Sequence, residues 1–85
     1  MATVSAGAIR AGRALLGMSQ ADLAELAKVS TPTIRRIETD QKGVSVETVN
    51  RVQGVLETAG IEFMPETEKF TEGVRQSKAS LSKKK

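Results

Sequence analysis

Neither cysteine nor histidine occurs among the 85 residues, tryptophan and tyrosine are absent as well, and Phe63 and Phe70 are the only aromatic side chains. Without thiols there is no disulfide and no thiolate metal site. Without imidazole there is no histidine acid or base and no Ser-His or Cys-His nucleophile pair. Catalysis would fall to carboxylates, lysines and hydroxyls, and Asp22 and Glu25 lie on a plainly amphipathic helix. The expectation is a protein that is not an enzyme and that carries no cofactor and no metal. Long apolar runs are missing too: Arg10 and Arg13 interrupt the one candidate near the start, well short of the ~18 residues of a membrane span. The N-terminus lacks the basic stretch and apolar core of a secretion signal. These absences predict an intracellular, cytoplasmic chain with no membrane partner.

What is present fits a small globular domain, with 39% apolar and 27% charged residues. A chain of this size buries only about 60% of its unfolded surface, so dimerisation is a natural supplement to its core. The net charge of +3 is unevenly spread. Residues 1–60 hold seven Lys/Arg against six Asp/Glu, 61–76 hold two against four, and 77–85 add four lysines with no acid. The excess sits in the tail, so net charge alone argues only weakly for nucleic acid.

Cap residues and apolar spacing divide the first sixty residues into four helices. Ser5 announces the first, with Ile9, Ala14, Leu15 and Leu16 at helical spacing and Gly17 as the left-handed residue that closes it. Ser19 caps a second helix over Gln20 to Ala27, with Asp22 at the third position able to reach back to the cap. Leu23, Leu26 and Ala27 form its predicted inner face. Ser30-Thr31-Pro32 opens a third helix to about Thr39, the proline lying in the first turn where its missing N–H costs nothing. Gly43 breaks the chain, and Ser45 caps a fourth helix to Ala59 after Val44 as hydrophobic staple, with Val49, Val52 and Leu56 inward and Gly60 at its end. Gly54 lies inside this helix, where it costs about 1 kcal/mol against alanine; a close helix–helix approach or simple tolerance accounts for it.

After Gly60 the period changes from helical to alternating. Ile61 to Met64 and Phe70 to Gln76 read as two short strands around a polar turn beginning at Pro65. An isolated hairpin is marginal in water, so it must pack on the helices or pair with another chain. The Ser/Lys tail over 77–85 has too little apolar content to order by itself. The organisation expected is a helical unit over 1–60, a β extension and dimerisation element over 61–76, and a disordered tail over 77–85.

The informative stretch is SQADLAELAKVSTPTIRRIE, residues 19–38. Two short helices meet across a turn of about four residues, Lys28 to Thr31, with Leu23, Leu26, Val29, Ile34 and Ile37 as the apolar positions. That spacing lets the second helix brace the third and leaves the other face of the third free, showing Thr31, Pro32, Thr33, Arg35 and Arg36. An α-helix fits the major groove of DNA, and its N-terminal residues reach base edges. Adjacent arginines on an isolated helix are more often a solvated face; in this setting they read as DNA contacts.

Residues 9–60, through R13…G17…SQADLA…VS…TI…RIE and a capped following helix, resemble the Cro/phage-repressor class of helix-turn-helix domains. The resemblance implies a mainly α, lambda-repressor-like helix-turn-helix bundle of about four helices with a small C-terminal β-hairpin or strand. GIEF at 60–63 and GVR at 73–75 resemble a bacterial subgroup with a β-type extension, and HipB-like antitoxins whose C-terminal strands pair across a dimer. Two positions depart from the family pattern: Lys28 stands at the usual turn glycine and Asp40 at the glycine after the recognition helix. The resemblance implies left-handed backbone at each, costing roughly 1 kcal/mol in a non-glycine residue, so that either the turns relax or the domain is slightly less stable.

Carried over by position, the resemblance implies base contacts from Thr31, Pro32 and Arg36, with Arg36 placed for guanine O6 and N7. Thr33 and Arg35 serve bases or phosphates, and the two threonines serve equally as cap support. Gln20, Ser30 and Lys42 are the implied phosphate contacts. Arg13 and Glu38 match a structural salt bridge between the first and third helices. The expected function is sequence-specific binding of double-stranded DNA by a homodimer on a pseudo-palindromic operator, as a transcriptional regulator. The dimer surface is expected from the fourth helix and 61–76, where Ile61, Phe63, Met64, Phe70 and Val74 concentrate apolar area. The alternative is an antitoxin or adaptor that holds a partner protein, such as a toxin or RNA polymerase, as well as DNA, through acidic Glu62 to Glu72 and the lysine tail.

Overall fold

The computed structural model describes residues 4–40 and 43–78. Four helices precede a two-stranded sheet: α1 (Ala6–Leu15), α2 (Gln20–Ala27), α3 (Thr31–Glu38), α4 (Val46–Thr58), β1 (Ile61–Met64) and β2 (Gly73–Gln76). The fold is mainly α with a small antiparallel β element at its C-terminal end.

Each helix starts where a serine supplies its first acceptor. Ser5, Ser19, Ser30 and Ser45 all sit in extended backbone, and each side chain accepts a backbone N–H three residues on. At α2 the cap is reciprocal: Ser19 Oγ accepts from Asp22 N at 2.9 Å, and Asp22 Oδ2 accepts from Ser19 N at 3.0 Å. The turn between α2 and α3 is Lys28 to Ser30, one residue shorter than expected, because Thr31 already has helical geometry.

Both departures from glycine carry left-handed backbone, Lys28 at φ 60° and Asp40 at φ 59°. At Lys28 the αL residue turns the chain out of α2, its own N–H going to the Ala24 and Glu25 carbonyls.

The core joins Ile9 and Leu16 of the first helix and its cap, Leu23, Ala24 and Ala27 of α2, Ile34 and Ile37 of α3, Val52 and Leu56 of α4, and Ile61 of β1. Two inner-face expectations are corrected here. Leu26 is 54% exposed, and Ala24 takes its place, because at 100° per residue Leu23, Ala24 and Ala27 span one arc and Leu26 falls outside it. On α1, Ala8, Ile9 and Gly12 are buried, whereas Ala14, on the far side of the helix, and Leu15, its last residue, are exposed. On α4, Val52 and Leu56 are fully inside and Val49 is half-buried.

The hairpin packs on the helices of its own chain, β2 against α1 and β1 against α4. The register pairs Ile61 with Gln76, Glu62 with Arg75, Phe63 with Val74 and Met64 with Gly73. Ile61, Phe63 and Val74 face the helices, and on the outer face Arg75 Nε donates to Glu62 Oε1 at 2.9 Å. The second strand begins at Gly73 and not at Phe70. Residues 67–70 instead close a turn, with Thr67 N donating to the Phe70 carbonyl at 2.9 Å and Phe70 N donating to Thr67 Oγ1 at 3.1 Å. Among the described residues no helix is long and apolar enough to cross a membrane.

Candidate nucleic-acid interface

The outward face of α3 follows from what its inward face must do. Ile34 and Ile37 are buried against the other helices, and Glu38 is buried beside them. The residues opposite, Pro32, Arg35 and Arg36, are therefore exposed, and Thr31 and Thr33 at the flanks are half-exposed. Among the described residues neither Arg35 nor Arg36 makes an ion pair, so this helix face presents two uncommitted guanidinium groups.

The N-terminus of α3 is preorganised by its own hydroxyls. Ser30 Oγ accepts from Thr33 N at 3.2 Å and lies 2.8 Å from Thr33 Oγ1. These contacts hold the first turn, which also carries Thr31 and Pro32, in one geometry. Ser30 and Thr33 are thus cap partners of each other, whatever else their hydroxyls touch.

The other end of α3 is fastened by a buried carboxylate. Glu38 has a 1% exposed side chain, and Arg13 reaches it in fork geometry, Nε to Oε2 at 2.6 Å and Nη2 to Oε1 at 2.9 Å. Gln20 Nε2 donates to the same Oε1 at 3.0 Å, and Arg10 Nη1 donates to the Glu38 backbone carbonyl. Arg13 Nη1 also donates to the Met18 carbonyl at 3.0 Å. The hydrogen bond that Arg13 donates to Glu38 raises the Arg13 pKa above its ordinary value; partial burial pulls the other way and the carboxylate's charge adds to the rise. One carboxylate thereby gathers α1, the start of α2 and the end of α3. Because a buried charge is tolerable only when paired and hydrogen bonded, this cluster fixes the position of α3 relative to the other two helices.

A short, capped α2 bracing an α3 whose exposed face carries threonine, proline and arginine is the geometry of a helix that enters the major groove. The helix-turn-helix family model matches residues 9–62. The chain belongs to the Cro/repressor-type helix-turn-helix family. It is a DNA-binding family, and the helix-turn-helix unit proper is α2, the Lys28–Ser30 turn and α3. No curated protein matches the chain.

The structure brings together most of the residues singled out from the sequence. Thr31, Pro32, Thr33, Arg35 and Arg36 share α3, with Ser30 at its cap. Gln20 opens α2, and one of its two amide N–H groups is held by Glu38. That link was not foreseen, nor was the Arg10 contact; both depend on the angle at which α1 and α2 cross the end of α3. Lys42 lies outside the described residues. Of the five residues expected at a dimer surface, Ile61 is 3% exposed and lies in the protomer's own core against Gly12 and Leu56. Phe63 and Val74 are half-buried on that core, Met64 is half-buried near the hairpin tip, and Phe70 is 72% exposed.

Proposed function

We propose that this helix-turn-helix protein is a sequence-specific transcriptional regulator that binds a pseudo-palindromic operator as a homodimer. The observation that carries the reading is the split of α3 into two faces, Ile34, Ile37 and Glu38 inward and Pro32, Arg35 and Arg36 outward. In this reading Arg36 donates to guanine O6 and N7, with Thr31 and Pro32 against neighbouring bases and Thr33 and Arg35 on bases or phosphates. The free amide N–H of Gln20, the Ser30 hydroxyl and Lys42 bind the sugar-phosphate backbone, which sets register without reading sequence. One such unit touches too few base pairs for useful discrimination, so two copies place their recognition helices one helical turn apart, roughly 34 Å.

Selection of bound duplexes from a random library, run in parallel on wild type and Arg36→Ala, tests this directly. A palindromic consensus that degrades at one symmetric pair of positions in the variant is the expected result. No enrichment, with binding that vanishes as salt rises, would mean nonspecific electrostatics and would overturn it. A second reading, an adaptor that holds a partner protein as well as DNA, is favoured by one feature. A groove lined in part by Val4, Phe63 and Met64 also carries Glu57, Glu66 and Glu72, with no basic side chain among its described lining residues. A stoichiometric complex with a co-purifying toxin or polymerase subunit would decide for it.

A further inference from the structure

We propose that two copies of this chain meet through the outward face of α4, the helices running antiparallel and crossing at Gly54. The inference rests on the homodimer reading and gives that dimer its axis and its contacts.

Gly54 stands two residues from each of the buried side chains Val52 and Leu56, which puts it on the side of α4 turned away from the core. Glycine weakens a helix interior, so its presence mid-helix asks for a reason. Among the described residues there is none: a Cβ at position 54 would meet nothing within 4 Å. Gly12 on α1 shows what an internal reason looks like, since a Cβ there would lie 3.3 Å from Ile61 Cγ2 and 3.6 Å from Leu56 Cδ1. A bare backbone position on an outward face lets a second helix come closer than the usual 8–10 Å between axes.

The charges around Gly54 specify the occupant. Arg51 lies three residues before it and Glu57 three after, and both are exposed. In an antiparallel pair crossing at Gly54, position 54−n faces position 54+n. Arg51 of each copy therefore meets Glu57 of the other, and the ion pair occurs twice. Asn50 and Thr58, four residues to either side and also exposed, meet in the same way as hydrogen-bonding partners. A parallel pair would set Arg51 on Arg51 and Glu57 on Glu57. The pattern is thus self-complementary in one orientation only, as an isologous two-fold contact requires. Within the protomer Arg51 makes no ion pair among the described residues, and Glu57 Oε2 only accepts from Gln53 Nε2 at 3.1 Å. A single 13-residue helix offers a face about 20 Å long, less than a standard interface needs on each partner. The dimer is accordingly concentration-dependent, and operator DNA tightens it by holding both copies.

The test is the dimer dissociation constant of the full chain by analytical ultracentrifugation, with and without operator duplex. Wild type is compared with Arg51→Glu, Glu57→Arg, the double swap and Gly54→Gln. Each single reversal replaces two attractions by two repulsions and is expected to weaken the dimer about tenfold or more, while the double swap restores it. Gly54→Gln is expected to weaken the dimer and at the same time raise the melting temperature at concentrations where the chain is monomeric. That opposite movement separates a lost contact from a damaged fold. A wild-type dimer left unchanged by the single reversals and by Gly54→Gln overturns the α4 contact and leaves the homodimer standing. Single reversals that weaken the dimer without rescue by the double swap overturn the antiparallel register. A wild type that stays monomeric on operator DNA overturns the homodimer and this contact together.

Discussion

Arg13 on α1 and Glu38 at the end of α3 form a two-pronged ion pair, 2.6 and 2.9 Å, around a carboxylate with 1% exposure. The pair ties α3 to α1 at the end opposite Thr31 and Pro32, so the exposed face proposed to read DNA is positioned by a contact made inside the protomer.

Removing one partner should therefore damage the scaffold. Glu38→Ala strips Arg13 and Gln20 of their shared acceptor and is expected to cost about 3–5 kcal/mol, read as the midpoint of urea unfolding. Arg13→Lys keeps the charge but cannot donate in a fork to both oxygens, and a loss of roughly 1–2 kcal/mol is expected. Because the pairing raises the Arg13 pKa, its contribution is fully present below the unfolded-state value and is lost only as pH rises through the higher folded value. Unfolding of the wild type followed from pH 7 to pH 10 should show no loss attributable to this pair.

The two left-handed non-glycine residues offer the opposite kind of change. Lys28→Gly and Asp40→Gly each relieve backbone strain of roughly 1 kcal/mol, partly offset by greater freedom of the unfolded chain. A higher melting temperature in each variant, near-additive in the double, is the expected outcome. Operator affinity should stay unchanged, since neither residue lies on the exposed face of α3.

Gln20 should behave differently from Arg36. Gln20→Ala loses its hydrogen bond to Glu38 as well as any phosphate contact, so stability falls by about 1 kcal/mol and binding weakens on all sequences alike. Arg36→Ala touches no described intramolecular partner; it should keep the wild-type melting temperature and lose about 1–3 kcal/mol at one base position. Binding measured on operator and scrambled duplexes beside thermal unfolding separates the two patterns.

Ile61 is a test of the hairpin's role. It fills the space over Gly12 and beside Leu56, so Ile61→Ala should cost about 2–4 kcal/mol through the cavity left behind. Phe70→Ser, on a side chain 72% exposed, should leave stability within about 0.5 kcal/mol of wild type. Equal losses in both variants by chemical denaturation would mean that the hairpin packs differently.

The four helices, their serine caps, the reciprocal Ser19–Asp22 cap and the outward residues of α3 were legible in the residues themselves. All of these depend on a residue and its neighbours within about four positions, the range over which caps, turns and helical periodicity act. Which apolar residues reach the core was left to the packing of the helices. Ala24 displaced Leu26 because burial depends on where neighbouring helices lie and not on side-chain hydrophobicity alone. Packing likewise brought Arg10 and Gln20, 28 and 18 residues away in the chain, to the Arg13–Glu38 pair that the family resemblance implied. The hairpin shows the division most clearly. Alternation announced β1, but its buried Ile61 was assigned by the open space beside Gly12, which exists only once α1 and α4 are packed.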